Sequence, residues 1–381
     1  MRCPAAGRRS PGGPEPARPV AGGELPGARR RSTPRVRRGR PVGEGTAQRP
    51  APGAGRALRA LQASRRSSHG PRLGLRAERV QRKGDAALYR PAGVNDTTLH
   101  GSRVAIVGAG VIAEAMLSGL LGRGLVEASA VVCSHPREER RRELSERHGV
   151  TAVAANAEAA AGADIILLAV KPQMLKAVMP ELKPQMRSGQ LVISVIAGAG
   201  THALAEGLDH PALVRCMPNT PAQIGQGVTV WFATPSVDAT GRAQTRTMLS
   251  ALGREFEVHD ERQVAMATAV SGSGPTYIFL FIEALTDAAV HLGFPRHLAR
   301  ELVLDTMQGS AAFALASGRH VAELRDMVTS PGGTSAAAMY ELERGRLRTV
   351  VSDAVWAAFE RTLGIEAALE GRPPDPSARP R

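Results

Sequence analysis

Short apolar runs alternate with longer mixed stretches from about residue 102 onward, and this pattern predicts the fold. Residues 164–170 and 191–195 are almost wholly apolar, which is typical of strands buried on both faces of a parallel sheet. Strands alternating with helices favour an α/β fold with a Rossmann-type, doubly wound sheet. The predicted strands span 103–108, 130–133, 164–170, 191–195, 213–217, 227–232 and 255–258, and the first two predicted helices span 111–121 and 137–148.

The pattern changes after about residue 260, where only helical periodicity remains. Gly293 and Gly318 stand where helices are expected to end, and Pro295 and Pro331 stand just before helices begin. Because these helices are rich in Ala and Leu and poor in charge, we expect an all-α domain that buries a face against another subunit. The predicted helices span 263–270, 276–292, 296–316, 321–327 and 335–363.

Charge separates the first hundred residues from the rest. They hold 22 of the 49 Lys and Arg residues but 6 of the 35 Asp and Glu residues, so the net charge of +14 belongs to this Arg-, Pro- and Gly-rich segment. Such a segment does not bury enough apolar surface to offset its chain entropy, and we predict that it is disordered. The predicted organisation is a disordered extension (1–101), a Rossmann domain (102–260), a helical dimerisation and substrate domain (261–370) and a flexible tail (371–381).

Three interpretations of the extension remain open. A polyanion-binding arm explains the arginines, and a transit peptide explains an Arg-rich, acid-poor composition. We favour an upstream extension that is not translated, with the protein starting near Val94, since GC-rich non-coding DNA translates into such a composition. No methionine lies between Met1 and Met116, so that start needs a non-standard codon.

Cysteine usage and hydropathy restrict the class of protein. Cys3, Cys133 and Cys216 have neither paired nor metal-ligand spacing, and none of the ten histidines has ligand spacing. No run of 18 apolar residues appears, so no membrane-spanning segment is expected. We therefore expect a reduced, cytoplasmic protein without a metal, and neither a membrane nor a nucleic acid as its partner.

A Gly-x-Gly-x-x-Ala sequence lies between the first predicted strand and the first predicted helix. Gly108 is expected to form the tight turn, and Gly110 lets a pyrophosphate approach the amino terminus of the helix. Ala109, Val111 and Ile112 complete this loop. The motif in this context predicts a dinucleotide site.

The end of the second predicted strand indicates which dinucleotide binds. An NAD site usually offers a carboxylate there to the ribose 2′-hydroxyl, and none is present. Ser134 and Arg137 instead suit a 2′-phosphate, so NADPH is the expected cofactor and NADH the weaker donor. The alternative is that the arginines of this helix form only a solvated face.

The positions of the lysines restrict the type of reaction that the protein can catalyse. Ala169-Val170-Lys171-Pro172 ends a predicted strand at the sheet edge where nucleotides lie, so Lys171 is expected to contact ribose or pyrophosphate. The other lysines are Lys83, Lys176 and Lys183. The helical domain therefore has no lysine to serve as the general acid or base that carbonyl chemistry needs. A protonated imine needs no such group, because hydride attack leaves a neutral amine.

A Pro-Gly-Gly turn followed by two hydroxyls precedes the last predicted helix. Gly332 and Gly333 let successive amides face one point, and a helix amino terminus adds positive partial charge there. Thr334 and Ser335 provide a helix cap or polar ligands. The pattern favours a carboxylate cradle, and an ordinary capped turn is the alternative.

Two positions at the start of the helical domain are weaker candidates. Ser273, in the small-residue turn 271–275, would let a substrate ring approach the backbone, or would serve only as a helix entry. Glu261 would bond a ring nitrogen, or would only cap a helix.

These motifs together resemble those of the pyrroline-5-carboxylate reductases, the last enzymes of proline synthesis. The resemblance covers about residues 103–363. It rests on five motifs in the family's order: Val107-Gly-Ala-Gly110, Ala169-Val-Lys-Pro172, Arg215-Cys-Met-Pro-Asn-Thr-Pro221, Val270-Ser-Gly-Ser-Gly-Pro275 and Asp326-Met-Val-Thr-Ser-Pro-Gly-Gly-Thr-Ser335.

The resemblance implies reduction of 1-pyrroline-5-carboxylate to L-proline with NADPH. It adds Asn156, Ala197 and Gly198 to the cofactor residues. It also implies a homodimer with interlocked helical domains, often assembled into larger rings, in which a partner subunit completes each site.

The resemblance further implies roles in substrate binding. Gly332, Gly333 and Thr334 are expected to hold the carboxylate of the imine. Ser335, with Glu261, is expected near the ring nitrogen, so that Thr334 and Ser335 are the candidate catalytic residues.

The chain departs from the family's pattern at three places. Ser335 stands where the family usually has Thr, Ala265 where an Asp is common, and His320-Val321 where His-Pro is usual. Since Ser335 keeps a hydroxyl, activity is expected to survive, but the preferred cyclic imine stays open. Two rivals also remain, a 3-hydroxyacid dehydrogenase-like oxidoreductase and a non-catalytic nucleotide-sensing module.

Overall fold

The computed structural model describes residues 99–373. The predictions for the extension 1–101, including a start near Val94, and for the tail 371–381 fall almost wholly outside these residues. The domain boundaries therefore stay predictions.

An eight-stranded sheet in the order β3-β2-β1-β4-β5-β6-β7-β8 forms the first part of the described chain. The strands are β1 (Val104–Val107), β2 (Val131–Ser134), β3 (Thr151–Val153), β4 (Ile165–Leu168), β5 (Leu191–Ser194), β6 (Leu213–Met217), β7 (Gly227–Ala233) and β8 (Gly253–Glu257). The strand order reverses between β1 and β4, which places a crevice at their carboxyl ends, as in a Rossmann fold.

Strands β1 to β6 are parallel, but β7 runs antiparallel to β6, and β8 is parallel to β7. The first six strands thus form the predicted parallel, doubly wound sheet, and β7 and β8 extend it in the opposite direction. The chain reaches β7 from β6 through a short 3₁₀ segment, Thr220–Ile224. A connection this short suits an antiparallel neighbour, because a parallel one needs a crossover of a dozen or more residues.

The core lies on both faces of the sheet, which explains the apolar character of the central strands. All four residues of β4 are buried, with Ile165 and Leu167 on one face and Ile166 and Leu168 on the other. A strand that is covered on both faces has no polar side to alternate with its apolar one.

Twelve helices follow or separate the strands in residues 99–373. They are α1 (Val111–Gly122), α2 (Glu138–His148), α3 (Asn156–Ala160), α4 (Leu175–Leu182), α5 (Thr201–Leu208), α6 (Ala239–Ser250), α7 (Arg262–Ala267), α8 (Gly274–His291), α9 (Arg296–Ser317), α10 (Val321–Met327), α11 (Thr334–Arg344) and α12 (Leu347–Glu370). Short 3₁₀ segments also occur at Ala128–Ala130, Pro172–Met174 and Lys183–Gln185, and a π-helical turn at Thr268–Gly272 joins α7 to α8.

The single helix predicted over 335–363 is two helices, α11 and α12. Arg346 breaks the helix because it adopts a left-handed conformation, with φ +58°. The following helix α12 returns to pack on α7 and on the π-helical turn, so the break turns the chain back toward the sheet.

The helices α8 and α9 leave large apolar side chains exposed. Leu280 is 66% exposed and Leu315 76% exposed. In the described part of the chain, the continuous stretch Arg262–His291 is also long and apolar enough to cross a membrane by length and composition alone. An exposed apolar surface of this extent indicates an interface with another chain.

We expect Thr229→Val to stabilise the protein by about 1 kcal/mol, because the Oγ1 of Thr229 is buried and has no hydrogen-bond partner among the described residues. Urea unfolding at fixed protein concentration measures the change. The matched control is Thr245→Val, since the equally buried hydroxyl of Thr245 donates to the carbonyl of Gly241 at 2.8 Å. Removing that bond should destabilise by about 1 kcal/mol, and equal effects of the two changes would contradict the interpretation.

Candidate active site

The loop between β1 and α1 is held tightly against β4. Gly108 has φ +88°, and a Cβ there would lie 2.6 Å from Cγ1 of Val170 and 2.8 Å from its amide nitrogen. A side chain at Gly108 would therefore push the loop away from the end of β4. This explains why the tight turn requires glycine.

Hydrogen bonds within the loop decide which of its amides are available to a ligand. The amides of Gly108 and Ala109 donate to the carbonyl of Ser134 at 3.2 Å, and the amide of Gly110 donates to the carbonyl of Gly108 at 2.8 Å. Within residues 99–373, the next amides, of Val111 and Ile112 in the first turn of α1, have no partner. These two amides form the amino terminus of α1. The space beside them is open, because a Cβ on Gly110 would meet no atom within 4 Å. This arrangement fits the pyrophosphate of a dinucleotide.

Ser134 is placed differently from the prediction that its hydroxyl meets a 2′-phosphate. It is fully buried, and its hydroxyl donates to Oδ1 of Asn156 at 2.8 Å. The amide group of Asn156 in turn donates to Oε2 of Glu181 at 2.8 Å. Ser134 therefore helps to hold the loop between β1 and α1 in place, through its carbonyl and through the hydrogen bond of its hydroxyl to Asn156. Arg137, at the start of α2, is exposed, and its side chain has no hydrogen-bond partner in the described part of the chain.

Glu114 in the first turn of α1 joins the loop to α2. Its Oε2 accepts from Arg140 at 2.6 Å, and its Oε1 lies 2.6 Å from Nη1 of Arg147 and 3.2 Å from Nε2 of His148. Burial by itself would raise the pKa of Glu114, but the hydrogen bonds from these three partners outweigh it and lower the pKa from 4.5 to about 2. No sequence motif links these four residues, which come together only through the packing of α1 against α2.

The lowered pKa of Glu114 predicts acid sensitivity. Because the folded protein holds the ionised form, the contribution of the cluster to stability is complete above about pH 4.5 and is lost as the pH falls toward 2. Glu114→Gln removes the titrating group, so its melting temperature should fall less steeply than that of the wild type in this range. Thermal melts across that range measure both slopes, and parallel slopes would show that the cluster is not linked to folding.

The neighbouring loops at the same sheet edge differ in exposure. Lys171 is exposed just beyond β4, between Ala169-Val170 and Pro172, as a nucleotide ligand should be. Gly198 after β5 is buried, and a Cβ there would lie 2.6 Å from Cγ2 of Ile365 in α12. Ala197 is half-buried beside it. The β5 loop therefore supports the helical segment and offers little surface of its own to a cofactor.

The Pro-Gly-Gly turn is a hydrogen-bonded turn that leads into α11. The amide of Gly333 donates to the carbonyl of Ser330 at 3.0 Å, and Gly332 has φ +71°. Proline followed by a left-handed glycine is the arrangement of a type II turn. The helix begins at Thr334, one residue earlier than the hydrophobic pattern predicts.

The amide of Gly333 is thus used within the turn, which corrects its predicted role as a carboxylate donor. The amides of Thr334 and Ser335 are the first in α11, and among residues 99–373 they have no partner. Gly333 itself provides room, because a Cβ there would lie 2.6 Å from Oγ of Ser330. The turn therefore remains a candidate carboxylate cradle, with its donors shifted into the first turn of the helix.

Ser273 lies at the junction between the π-helical turn and α8. Its amide donates to the carbonyl of Thr268 at 2.8 Å, and its carbonyl accepts from the amide of Thr276 at 3.0 Å. Asn219 binds this junction to the sheet, since it donates to the carbonyl of Ser271 at 3.1 Å and accepts from the amide of Val228 at 2.9 Å. π-Helical turns are frequent at functional sites, which keeps Ser273 a candidate.

Glu261 is committed to contacts within the protein, which argues against its predicted bond to a ring nitrogen. Its Oε1 accepts from the amide of Thr201 at 2.7 Å and from Nη1 of Arg215 at 2.9 Å, and its Oε2 accepts from the hydroxyl of Thr201 at 2.6 Å. The same nitrogen of Arg215 donates to Glu366 in α12 at 3.0 Å. Arg215 thus joins the sheet to both ends of the helical segment.

The cysteines and metal-binding side chains offer no further chemistry in the described residues. Cys133 and Cys216 are buried free thiols. Burial raises the pKa of Cys133 to about 12 and raises that of Cys216 as well. No three His, Cys, Asp or Glu side chains in the range 99–373 form a group that could hold a metal ion.

The loop between β1 and α1, here called the cofactor loop, and the Pro-Gly-Gly cradle thus belong to different parts of the fold. The loop and the amides of Val111 and Ile112 lie at the carboxyl edge of the sheet, whereas the cradle begins α11, which packs on α12. Pro331 and Thr334 are exposed. A dinucleotide site in a Rossmann fold, with a candidate carboxylate cradle on a separate helical segment, is typical of a nicotinamide-dependent oxidoreductase.

Comparison with known proteins identifies which oxidoreductase family this is. Residues 261–365 match the family model for pyrroline-5-carboxylate reductase dimerisation, and residues 103–198 match the model described as NADP oxidoreductase coenzyme F420-dependent. A pyrroline-5-carboxylate reductase of Pseudomonas aeruginosa is 41% identical over 268 residues, which is 70% of this chain and 98% of that protein. The chain belongs to the pyrroline-5-carboxylate reductase family.

Solved structures agree. A pyrroline-5-carboxylate reductase from Coxiella burnetii superimposes with a TM-score of 0.65 at 35% identity, covering 69% of this chain and 98% of that one. A pyrroline carboxylate reductase from Plasmodium falciparum, with NADP bound, has a TM-score of 0.65 at 30% identity and covers 70% and 98%. The predicted fold class, family and NADP cofactor are thereby confirmed, and the dimerisation segment accounts for the exposed apolar faces of α8 and α9.

Proposed function

We propose that the protein reduces 1-pyrroline-5-carboxylate to L-proline with NADPH, the last step of proline biosynthesis. The observation that carries the proposal is the pair of helix amino termini with unpartnered amides. The first, at Val111 and Ile112, fits a pyrophosphate, and the second, at Thr334 and Ser335, fits a carboxylate. Both lie in a chain of the pyrroline-5-carboxylate reductase family.

The geometry suggests how the chain contributes to the reaction. When bound, NADPH supplies a hydride from nicotinamide C4 to the carbon of the C=N bond. The amides of Thr334 and Ser335 hold the carboxylate, Gly333 leaves room for it, and the hydroxyl of Ser335 orients the ring nitrogen. Because the protonated imine already carries a positive charge, positioning the two reactants is sufficient, and no lysine is required in the helical segment.

We further propose that a second subunit completes the site. The cradle is exposed and its helix packs on α12, and the apolar faces of α8 and α9 are available to a partner. A homodimer would cover these faces and bring a cradle to a cofactor edge. Sedimentation analysis of the purified protein measures whether the dimers assemble further.

The experiment that tests this function follows the absorbance of NADPH while the protein acts on 1-pyrroline-5-carboxylate. We expect oxidation with proline as product, both for the whole chain and for protein starting at Val94. Binding of NADPH without turnover would instead point to another cyclic imine, and turnover of a 3-hydroxyacid would favour the dehydrogenase alternative. Loss of activity in the shorter protein would show that residues 1–93 take part.

A cytoplasmic location is also proposed. The two described cysteines are free thiols, which fits a reducing compartment. Fractionation of cells that express the whole chain tests the proposal, and activity recovered in another compartment would overturn it.

A further inference from the structure

We propose that Arg140 is a positioning residue that shapes the pyrophosphate loop, and that it is not a ligand of the cofactor's 2′-phosphate. The inference rests on the proposed function, because it concerns the same cofactor site. Arg140 lies in the first turn of α2, near Arg137, where a sequence comparison would count it among the cations that select NADPH.

All three guanidinium nitrogens of Arg140 are committed to the protein. Its Nε donates to the carbonyl of Ala109 at 3.2 Å, its Nη2 to Glu114 at 2.6 Å, and its Nη1 to Glu143 at 3.0 Å. The side chain is 14% exposed. Three of the five N–H donors of Arg140 are thus used within the protein, and they hold the side chain in a fixed orientation between α1 and α2.

The bond to Ala109 determines the direction of one peptide group in the loop. In a trans peptide the carbonyl and the next amide point in opposite directions. Arg140 holds the carbonyl of Ala109 on one side, and the amide of Gly110 donates to the carbonyl of Gly108 on the other. The peptide is therefore fixed at both ends just before Val111 and Ile112, whose amides are available to the pyrophosphate.

Glu114, in the first turn of α1, holds Arg140 in this position. Residues at the far end of α2 in turn hold Glu114. Its second oxygen accepts from Arg147 and lies near His148, so both ends of α2 are tied to the first turn of α1. The loop, α1 and α2 thus form one rigid support. NADPH and NADH share the pyrophosphate, so a defect in this support should weaken both cofactors equally, whereas loss of a 2′-phosphate ligand should weaken NADPH alone.

The experiment measures dissociation constants for NADPH and NADH by nicotinamide fluorescence, without substrate, in Arg140→Met, Arg140→Lys and Glu114→Gln. We expect Arg140→Met to raise both constants by the same factor, about tenfold, the scale of one charge-assisted hydrogen bond. Arg140→Lys and Glu114→Gln should raise both dissociation constants by a smaller factor, again the same for NADPH and for NADH. In steady-state assays, the KM for NADPH and the KM for NADH should rise by the same factor.

Two other arginines of the same helix serve as comparators. Arg142 pairs with Glu138 at 3.1 Å in an exposed contact, so Arg142→Met should change neither constant. Arg137→Met should weaken NADPH only. If the Arg140 variants weaken NADPH alone, Arg140 is a phosphate ligand and the inference is wrong, and unchanged binding of both cofactors would overturn it too. If the wild type binds neither cofactor, the proposed function falls as well.

Discussion

Gly333→Val should lower kcat/KM for 1-pyrroline-5-carboxylate by about 100-fold or more, the scale of losing a preorganised set of donors at an anionic group. A Cβ at Gly333 would lie 2.6 Å from Oγ and 3.1 Å from the carbonyl oxygen of Ser330. The hydroxyl can rotate away, but the two methyl groups of valine would then cover the mouth of the cradle beside Thr334 and Ser335. The carboxylate would lose contact with those amides. Steady-state kinetics with varied substrate measures the loss.

Three controls distinguish a loss of substrate binding at the cradle from a general disturbance of the fold. Ser335→Thr keeps the hydroxyl and should keep activity within a few-fold. The dissociation constant of NADPH should not change in Gly333→Val, because the cofactor loop lies in the sheet domain. Sedimentation should show the same oligomer as the wild type. Near-normal kcat/KM in a correctly assembled Gly333→Val protein would refute the cradle.

The sheet could be predicted from the sequence because its central strands are buried on both faces. The continuous apolar runs of β4 and β5 have no other common explanation in a chain with intervening helices. Strand β3 has three residues and none of them is buried, so it has no apolar run to detect. The direction of β7 and β8 depends on how the chain turns after β6, which an apolar pattern does not specify.

Several helices lack the signals that make a helix predictable. Helix α3 has five residues, α4 contains Pro180, and α6 mixes Gly, Thr and Arg with few apolar positions. They form because the sheet provides a surface for them, which is a tertiary effect. The break at Arg346 likewise has no sequence signal, since arginine rarely adopts the left-handed conformation that it has here.

In the candidate site, too, only the local features could be predicted from the sequence. The glycines of the cofactor loop and of the Pro-Gly-Gly turn are contiguous in sequence, so their local geometry could be predicted. The contacts of Glu114 with Arg140 and of Arg215 with Glu261 and Glu366 join residues that are 26, 46 and 151 positions apart. Pairings at such separations follow from the fold and are not encoded in any local motif.

Arg215→Met should destabilise the protein by about 3–5 kcal/mol, the usual cost of removing one partner from a buried ion pair. Arg215 is 2% exposed, and its Nη1 lies 2.9 Å from Glu261 and 3.0 Å from Glu366. Without the guanidinium, two carboxylates that are largely shielded from water would face each other with no cation between them. Urea unfolding of the purified oligomer at fixed concentration measures the change.

A surface ion pair provides the matched control for Arg215. Arg296 pairs with Asp287 at 2.9 Å, but both side chains are more than half exposed, so Arg296→Met should cost less than about 1 kcal/mol. The network around Arg215 also fixes α12 against the loop after β5. Arg215→Met should therefore loosen the helical segment, and limited proteolysis should cleave α12 sooner than in the wild type. A loss in Arg215→Met no larger than that in Arg296→Met would show that the three-residue network does not hold the helical segment to the sheet.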